Sequence, residues 1–181
     1  MQQGQLRSVR FYDCTFVNCN FSETRFVDCK FSSCTFESCN MNMIEVLDCE
    51  FSDASFTDCK LLSVNWTEAV WPKIRRERQL RFERCVLNHS TFIGLSLPKI
   101  VMVDCLAKNV DFREADLSES ELRLTDFAES LFSDTNLMAA DFSNAANYAI
   151  DPAYNKINKA KFTMPAAISL LYAMDIEIVE E

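Results

Sequence analysis

Glycine, positive charge and long apolar runs are all scarce in this sequence. Its two glycines cannot form the glycine-rich loops that hold nucleotide phosphates. Its 18 basic residues are outnumbered by 27 acidic ones, and the net charge of −9 argues against nucleic acid or an anionic membrane as a direct partner. The longest apolar stretch, residues 164–174, is shorter than the ~20 residues of a membrane-spanning helix.

The N-terminus also lacks the charged and then apolar segment of a secretory signal. We therefore expect a soluble, cytoplasmic protein. Apolar residues make up 49% of the chain and include fifteen phenylalanines, which is enough surface to bury that intrinsic disorder can be set aside. The length of 181 residues suits one domain or a short repeat array.

An apolar residue recurs at every fifth position along most of the chain. One series runs unbroken from Phe11 to Trp71, and a second runs unbroken from Phe82 to Phe142. Neither the two-residue period of a strand nor the 3.6-residue period of a helix generates this pattern. Small side chains, mainly cysteine, alanine, serine and threonine, recur two positions before most of these centres. A repeat architecture is therefore predicted.

This pattern resembles the pentapeptide-repeat family, whose motif reads roughly Ala-(Asp/Asn)-Leu-x-x with the central residue pointing inward. Residues 115–119 and 140–144 match the motif well, and the resemblance covers residues from about 9 to 146. It implies an all-β fold, a right-handed quadrilateral β-helix with four pentapeptides per coil, so that residue n lies beside residue n+20. We expect a repeat domain over residues 1–146 and a C-terminal cap and dimerisation segment over residues 147–181.

The nine cysteines follow the same period, because every gap between neighbours except that from Cys59 to Cys85 is a multiple of five. No zinc-type CxxC pair occurs. Small thiols packed in the interior of a protein in a reducing compartment explain them best, with metal or redox chemistry as the alternative. No metal or cofactor is expected. A spacing of twenty predicts these stacks: Cys19 with Cys39 and Cys59, Cys14 with Cys34, Cys29 with Cys49, and Cys85 with Cys105.

The two apolar series are out of register, because eleven residues, or two repeats plus one, separate Trp71 from Phe82. We place the one extra residue near positions 75–79, as a bulge or a small loop within the break at 72–81. Two interpretations stay open. The segment is a solvated irregularity, or it is a contact loop for an acidic surface, formed by the basic residues Lys73, Arg75, Arg76, Arg78 and Arg81.

The chain changes character after Phe142. Thr163 is expected to cap a short, apolar helix over residues 166–174, with Pro165 in its first turn. The last coil of a solenoid must be covered, and a helix can do this without leaving a large apolar surface exposed, whereas this apolar helix would leave one. We therefore expect homodimerisation at this end. The interface residues would be Ile168, Leu171, Tyr172, Met174, Ile176 and Ile178, the last two alternating with acids as in a strand.

The same tail bears a narrower resemblance. Residues 150–152 (Ile-Asp-Pro), Asn155, Ile157, residues 161–162 (Lys-Phe), Pro165 and residues 174–176 (Met-Asp-Ile) are similar to the C-terminus of pentapeptide proteins that protect type II topoisomerases. These are the Qnr-, MfpA- and McbG-type proteins. The resemblance implies a type II topoisomerase, DNA gyrase, as partner and resistance or immunity to a quinolone or peptide poison.

Acidic residues are concentrated between positions 103 and 142, where there are ten acidic and three basic residues. All ten occupy outward positions of the repeat. A spacing of twenty stacks Glu121 on Asp141 and Glu114 on Asp134, and because stacked like charges are destabilising, stability alone does not explain them. The partner-binding acidic face is predicted to be Asp104, Asp111, Glu114, Asp116, Glu119, Glu121, Asp126, Glu129, Asp134 and Asp141.

These forty residues make two coils, ~10 Å of axis, with a net charge of −7. Duplex DNA carries a charge about every 1.7 Å, so the two densities are of the same order. In the Qnr- and MfpA-type relatives this is the proposed DNA mimicry. Catalysis is not expected, because the only histidine, His89, faces solvent with no outward cysteine beside it and the acids converge on no pocket. A general protein-interaction scaffold with an unrelated partner is the alternative function.

Overall fold

The computed structural model describes residues 4–71, 80–174, 176 and 179. It is a parallel β-solenoid of about eight turns with one short helix near the C-terminus, which confirms the expected β-helix. The strands are β1 (Gln5–Arg7), β2 (Arg10–Tyr12), β3 (Thr15–Val17), β4 (Arg25–Val27), β5 (Lys30–Ser32), β6 (Thr35–Glu37), β7 (Glu45–Leu47), β8 (Glu50–Ser52), β9 (Ala54–Thr57), β10 (Leu80–Glu83), β11 (Val101–Val103), β12 (Asp141–Phe142) and β13 (Lys161–Phe162).

These short strands pair in parallel between successive coils. They form sheets in the order β1-β4-β7, β2-β5-β8, β3-β6-β9-β10-β11 and β12-β13. Elsewhere the coils are joined by isolated parallel bridges, such as Thr91 with Asp111. A 3-10 helix, Trp66–Glu68, replaces one strand, and helix α1, Ile168–Tyr172, follows the last coil.

The five-residue period produces this fold because each repeat turns the chain through one corner. The central residue points into the solenoid, as Phe36 and Phe112 do with no exposed surface. Two positions later the backbone adopts a positive φ, as at Ser38 (52°) and Glu114 (60°), and this left-handed residue makes the corner. We call it the corner position, and we call the residue just before each centre the side position.

The predicted spacing of twenty holds within each apolar series. Phe11 pairs with Phe31, and Phe31 pairs with Phe51. Their rings stack at centroid distances of 5.0 and 5.1 Å. The interior is therefore a set of continuous side-chain columns, closely spaced along the axis.

The break between the two series is larger than one residue. Trp71 stacks on Phe51, but Phe82 pairs with Phe56, which lies 26 positions earlier. This coil therefore contains six residues more than the others, and the expectation of one extra residue is wrong. The sequence count placed two whole repeats of the solenoid between Trp71 and Phe82. In the structure these two centres lie on adjacent sides, separated by one corner. The six additional residues fall between 71 and 80, and positions 72–79 lie outside the described residues.

This longer coil also joins two cysteine stacks that the sequence kept apart. Backbone Cys39 N–H donates to Cys59 Sγ, and Cys85 N–H donates to Cys105 Sγ, both at 3.4 Å. Since Val86 bridges with Lys60, Cys85 continues the column of Cys59. Burial confirms the packing interpretation, because seven cysteines are buried and the other two, Cys14 and Cys19, are half-buried in the first coil.

Coil pairing continues past the boundary expected at residue 146. Asp141 and Phe142 pair with Lys161 and Phe162, so the last repeat ends at 162. The Thr163 hydroxyl accepts a hydrogen bond from Asn144 N–H at 2.8 Å and does not cap the helix, whose N-cap residue is Ala167. Helix α1 is therefore shorter than predicted and starts at Ile168.

Candidate partner-binding surface

The ten acids predicted to bind a partner occupy two kinds of outward position. Five are side residues: Asp111, Asp116, Glu121, Asp126 and Asp141. The other five are corner residues with φ between 55° and 60°: Asp104, Glu114, Glu119, Glu129 and Asp134. The two kinds differ in their contacts and therefore in what they can offer to a partner.

The side acids contact other side chains on the outer surface of the solenoid. Asp111 pairs with Arg113 at 2.7 Å, and Asp126 pairs with Lys108 at 2.9 Å. Asp116 accepts a hydrogen bond from Asn136 Nδ2 at 2.8 Å. The remaining two also pair with cations, Glu121 with Arg123 at 3.3 Å and Asp141 with Lys161 at 3.7 Å. These contacts reduce the charge that the side acids present to a partner.

Several side acids are held in the charged form. Hydrogen bonding from Arg113 lowers the pKa of Asp111. At Asp126, burial opposes ionisation, but hydrogen bonds from Asn147 and Lys108 outweigh it and lower the pKa. Asp141 behaves in the same way, with Ser143 as the donor. These carboxylates therefore stabilise the coils as anions.

Most corner acids form no ion pair with a described residue. Within the described part of the chain, only Glu119 of the five corner acids has an ion pair, with Lys99 at 3.4 Å. Asp104, Glu114, Glu129 and Asp134 are exposed and make no ion pair with a described residue. Their left-handed backbone holds each carboxylate at an outer edge of the solenoid. These four are the best placed to meet a basic partner.

The ten acids do not form a single face. Along one coil, Asp111 and Glu114 flank the centre Phe112, and acids also accompany the next three centres, Leu117, Leu122 and Phe127. Since four consecutive centres complete a coil, the charge surrounds the solenoid. We call these ten residues the acidic belt. The predicted vertical stacking is present, because Glu121 and Asp141 form a parallel bridge.

Arg81 is the one residue of the proposed contact loop that is described. Lys73, Arg75, Arg76 and Arg78 lie outside the described residues. Arg81 is half-buried in β10 and pairs with Glu83, so its charge is partly neutralised by its own strand.

The predicted dimer residues form an exposed apolar surface at the C-terminal end. Exposed fractions are 42% for Leu171, 64% for Tyr172, 54% for Met174 and 46% for Ile176, while Ile168 is half-buried. Ile178 lies outside the described residues. No residue of α1 is fully buried, and a cavity of about 480 Å³ lies between the helix and the last coil, lined by Tyr148, Pro165, Ala166 and Tyr172 among others.

Sequence reasoning missed a second feature of the belt, its exposed aliphatic side chains. Leu106 is 44% exposed and Leu124 is 53% exposed, although both lie among acids. The signal was present, because Leu124 is a leucine at a corner position, where most residues of this chain are polar.

No group of three or more potential metal ligands occurs among residues 4–71 and 80–174 or at the two other described positions. Within the same residues, no helix combines the length and the hydropathy that crossing a bilayer requires.

Comparison with known proteins identifies the family. A family profile described as a pentapeptide repeat region matches residues 9–92, and a second, for pentapeptide repeats, matches residues 108–145. The chain belongs to the pentapeptide-repeat family. Together the two profiles cover most of the strand-rich first coils and nine of the ten residues of the acidic belt. No protein among the curated sequences matches this pentapeptide-repeat chain.

Solved structures share its fold over the full length. Two trypsin-treated variants of QnrB1, a plasmid-mediated fluoroquinolone resistance protein, superpose with TM-scores of 0.69 and 0.68. The first alignment covers 99% of this chain and 100% of QnrB1, and the second covers 98% of each. Both are 16% identical in sequence, so the likeness establishes the fold.

Proposed function

We propose that this pentapeptide-repeat protein binds a type II topoisomerase, DNA gyrase, in place of DNA and thereby protects it from a quinolone or peptide poison. The observation that carries the proposal is the set of four corner carboxylates in the acidic belt, Asp104, Glu114, Glu129 and Asp134, which make no ion pair with a described residue. The protein would act in the cytoplasm, through binding and without chemistry.

The charge distribution supports this proposal. Residues 103–142 carry a net charge of −7 over forty residues, whereas residues 4–71 carry −5 over sixty-eight. Because successive coils are ~4.8 Å apart, stacked corner acids such as Glu114 and Asp134 repeat along the axis as charges repeat along a nucleic-acid strand. A basic DNA-binding surface would gain attraction to every side of such a rod.

The C-terminal apolar surface supports a homodimer. If two copies joined through α1 and the residues after it, the two acidic belts would lie on either side of the joint and form one longer rod. Burying Leu171, Tyr172, Met174 and Ile176 would remove the exposed surface that a monomer leaves in water. A two-fold symmetric rod suits a two-fold symmetric DNA-binding groove.

The similarity of the fold to QnrB1 adds a second line of support, since that protein confers fluoroquinolone resistance and aligns over the whole chain. Electrostatic recognition predicts strong salt dependence. Raising the ionic strength from low to physiological values shortens the Debye length to ~8 Å and should mainly slow association.

The test compares two matched charge reversals. One variant carries Asp104→Lys, Glu114→Lys, Glu129→Lys and Asp134→Lys. The control carries Asp13→Lys, Glu23→Lys, Asp48→Lys and Asp53→Lys, which change the same number of charges at corner positions with similar φ in the first coils. Gyrase binding, and supercoiling with and without a quinolone or peptide poison, are measured for both.

The belt variant should lose gyrase binding and protection, while the control keeps them. Equal behaviour of the two variants would contradict recognition through the belt. Absence of binding, inhibition and protection by the unmodified protein at any concentration would sink the topoisomerase proposal and leave the scaffold with an unrelated partner.

A further inference from the structure

The corner residue Leu124 is unusual in its side chain. It has a φ of 61° and is the one leucine among the described residues with positive φ. Its N–H donates to Ser143 O at 3.1 Å, so the coil ladder holds this conformation in place. A bulky side chain fits this left-handed conformation less well than asparagine, aspartate or glycine does. The fold alone therefore gives no reason for leucine.

Other aliphatic side chains lie near Leu124 on the surface. Val86 and Leu106 form a parallel bridge, and Leu106 bridges with Asp126, two residues after Leu124. Leu106 and Leu124 are thus diagonal neighbours on adjacent coils, 44% and 53% exposed. We call Val86, Leu106 and Leu124 the aliphatic patch.

Acids flank the leucine end of the aliphatic patch. Asp104 precedes Leu124 by one coil at the same corner, and its N–H donates to Arg123 O. Asp126 lies directly beneath Leu106. Cations also lie near the patch: Lys108 pairs with Asp126, Arg123 with Glu121 and Arg84 with Asp58, whereas Lys60 bridges with Val86 at the far end of the patch and is exposed. A partner that fits this surface must combine basic groups with an apolar depression.

We propose that the aliphatic patch, centred on Leu124, anchors the same partner that the acidic belt attracts, by inserting between the basic groups of its DNA-binding surface. This inference rests on the proposed function. The acids provide long-range attraction, and the leucines provide buried apolar area at short range, which DNA cannot offer in the same way. The partner is therefore bound by more than charge, and part of its affinity persists at high salt.

The test is Leu124→Asn, with Met43→Asn as the matched control. Met43 is also a corner residue, with φ 54° and 51% exposure, but lies in the early coils away from the belt. Leu124→Asn should leave the melting temperature equal or higher, because asparagine tolerates the left-handed backbone, and should raise the gyrase Kd about tenfold through lost apolar burial. Met43→Asn should change neither binding nor stability for the worse.

The outcomes separate the two proposals. If the unmodified protein binds gyrase and the belt reversal abolishes binding while Leu124→Asn binds normally, the anchor is overturned and the proposed function stands. An equal loss in Met43→Asn would also overturn it, since the effect would not belong to the patch. If the unmodified protein does not bind gyrase, both proposals fail. Retention of weaker, salt-resistant binding by the belt reversal, lost on adding Leu124→Asn, would support the anchor directly.

Discussion

The first and the last coils of this solenoid share a backbone period but differ in chemistry. In residues 5–57, strands of three or four residues pair in sheets, and the positions two before the centres are mainly cysteine. In residues 86–160, isolated bridges and turns predominate, and those positions are mainly alanine, serine and threonine. Inward and outward residues alternate, so the interior and the surface can change independently of the fold.

The surfaces differ in how charges meet between coils. In the first coils, cations stack on acids, as in the pairs Arg25 with Glu45 and Lys30 with Glu50. In the later coils Glu121 stacks on Asp141, although Lys99 still pairs with Glu119 and Lys161 with Asp141. The first arrangement neutralises part of the surface charge, and the second leaves a higher density of negative charge between residues 103 and 142. The two surfaces therefore differ in how much of their charge is paired between coils.

The largest expected effect is on the interior, where the two regions should behave alike. Phe36→Ala and Phe112→Ala each remove a fully buried ring stacked on the coils before and after it. Each should cost about 3–5 kcal/mol of unfolding free energy. Urea unfolding followed by circular dichroism measures both. A cost for one variant below half that of the other would show that the two interiors are not equivalent.

A smaller effect should distinguish the two kinds of small inward residue. Ser130 donates to Ala107 O and accepts from Val110 N–H at 3.0 Å, so Ser130→Ala leaves two buried backbone groups without that partner. This should cost about 1–3 kcal/mol. Cys39→Ala removes weaker sulfur contacts, with Cys39 Sγ 3.4 Å from Phe16 O, and should cost less. Equal costs in urea unfolding would contradict stronger hydrogen bonding by the inward hydroxyl of Ser130 than by the inward thiol of Cys39.

The smallest effect is on the pH dependence of stability. The pKa values of Asp28 and Asp58 in the first coils, and of Asp111 and Asp126 in the later ones, are lowered by hydrogen bonds from neighbouring groups, against the effect of burial at Asp126. A depressed carboxyl pKa contributes stability that is present above the unfolded value and is lost as pH falls through the folded value. The melting temperature should therefore be flat from pH 7 to about 5 and should fall below about 4.

Asp111→Asn and Asp28→Asn each remove one of these carboxylates, so each variant should show a slightly smaller acid loss than the unmodified protein. Scanning calorimetry across this pH range tests it. An unchanged acid profile in both variants would show that other carboxyl groups control acid unfolding.

The cysteines show how much of the interior packing could be predicted from the sequence. A spacing of twenty placed Cys19, Cys39 and Cys59 in one stack, and the structure extends that column through Cys85 to Cys105. Hydrogen bonding to Cys105 and burial raise the pKa of Cys85 to about 12, so its thiol stays protonated near neutral pH. The sequence did not predict that Cys59 and Cys85 belong to one column, because a period measured along the chain does not show how many additional residues a coil contains.

The sequence by itself determined the β-helix, the inward centres and the register within each apolar series, because these depend on a five-residue pattern that every repeat carries. Only the tertiary structure decided that one coil holds six additional residues, that the acids form a belt and not a face, and which of them are paired. It also decided that Leu124 stands exposed at a strained corner. These properties depend on which side chains meet between coils, twenty or twenty-six positions apart, and that contact exists only once the solenoid has closed.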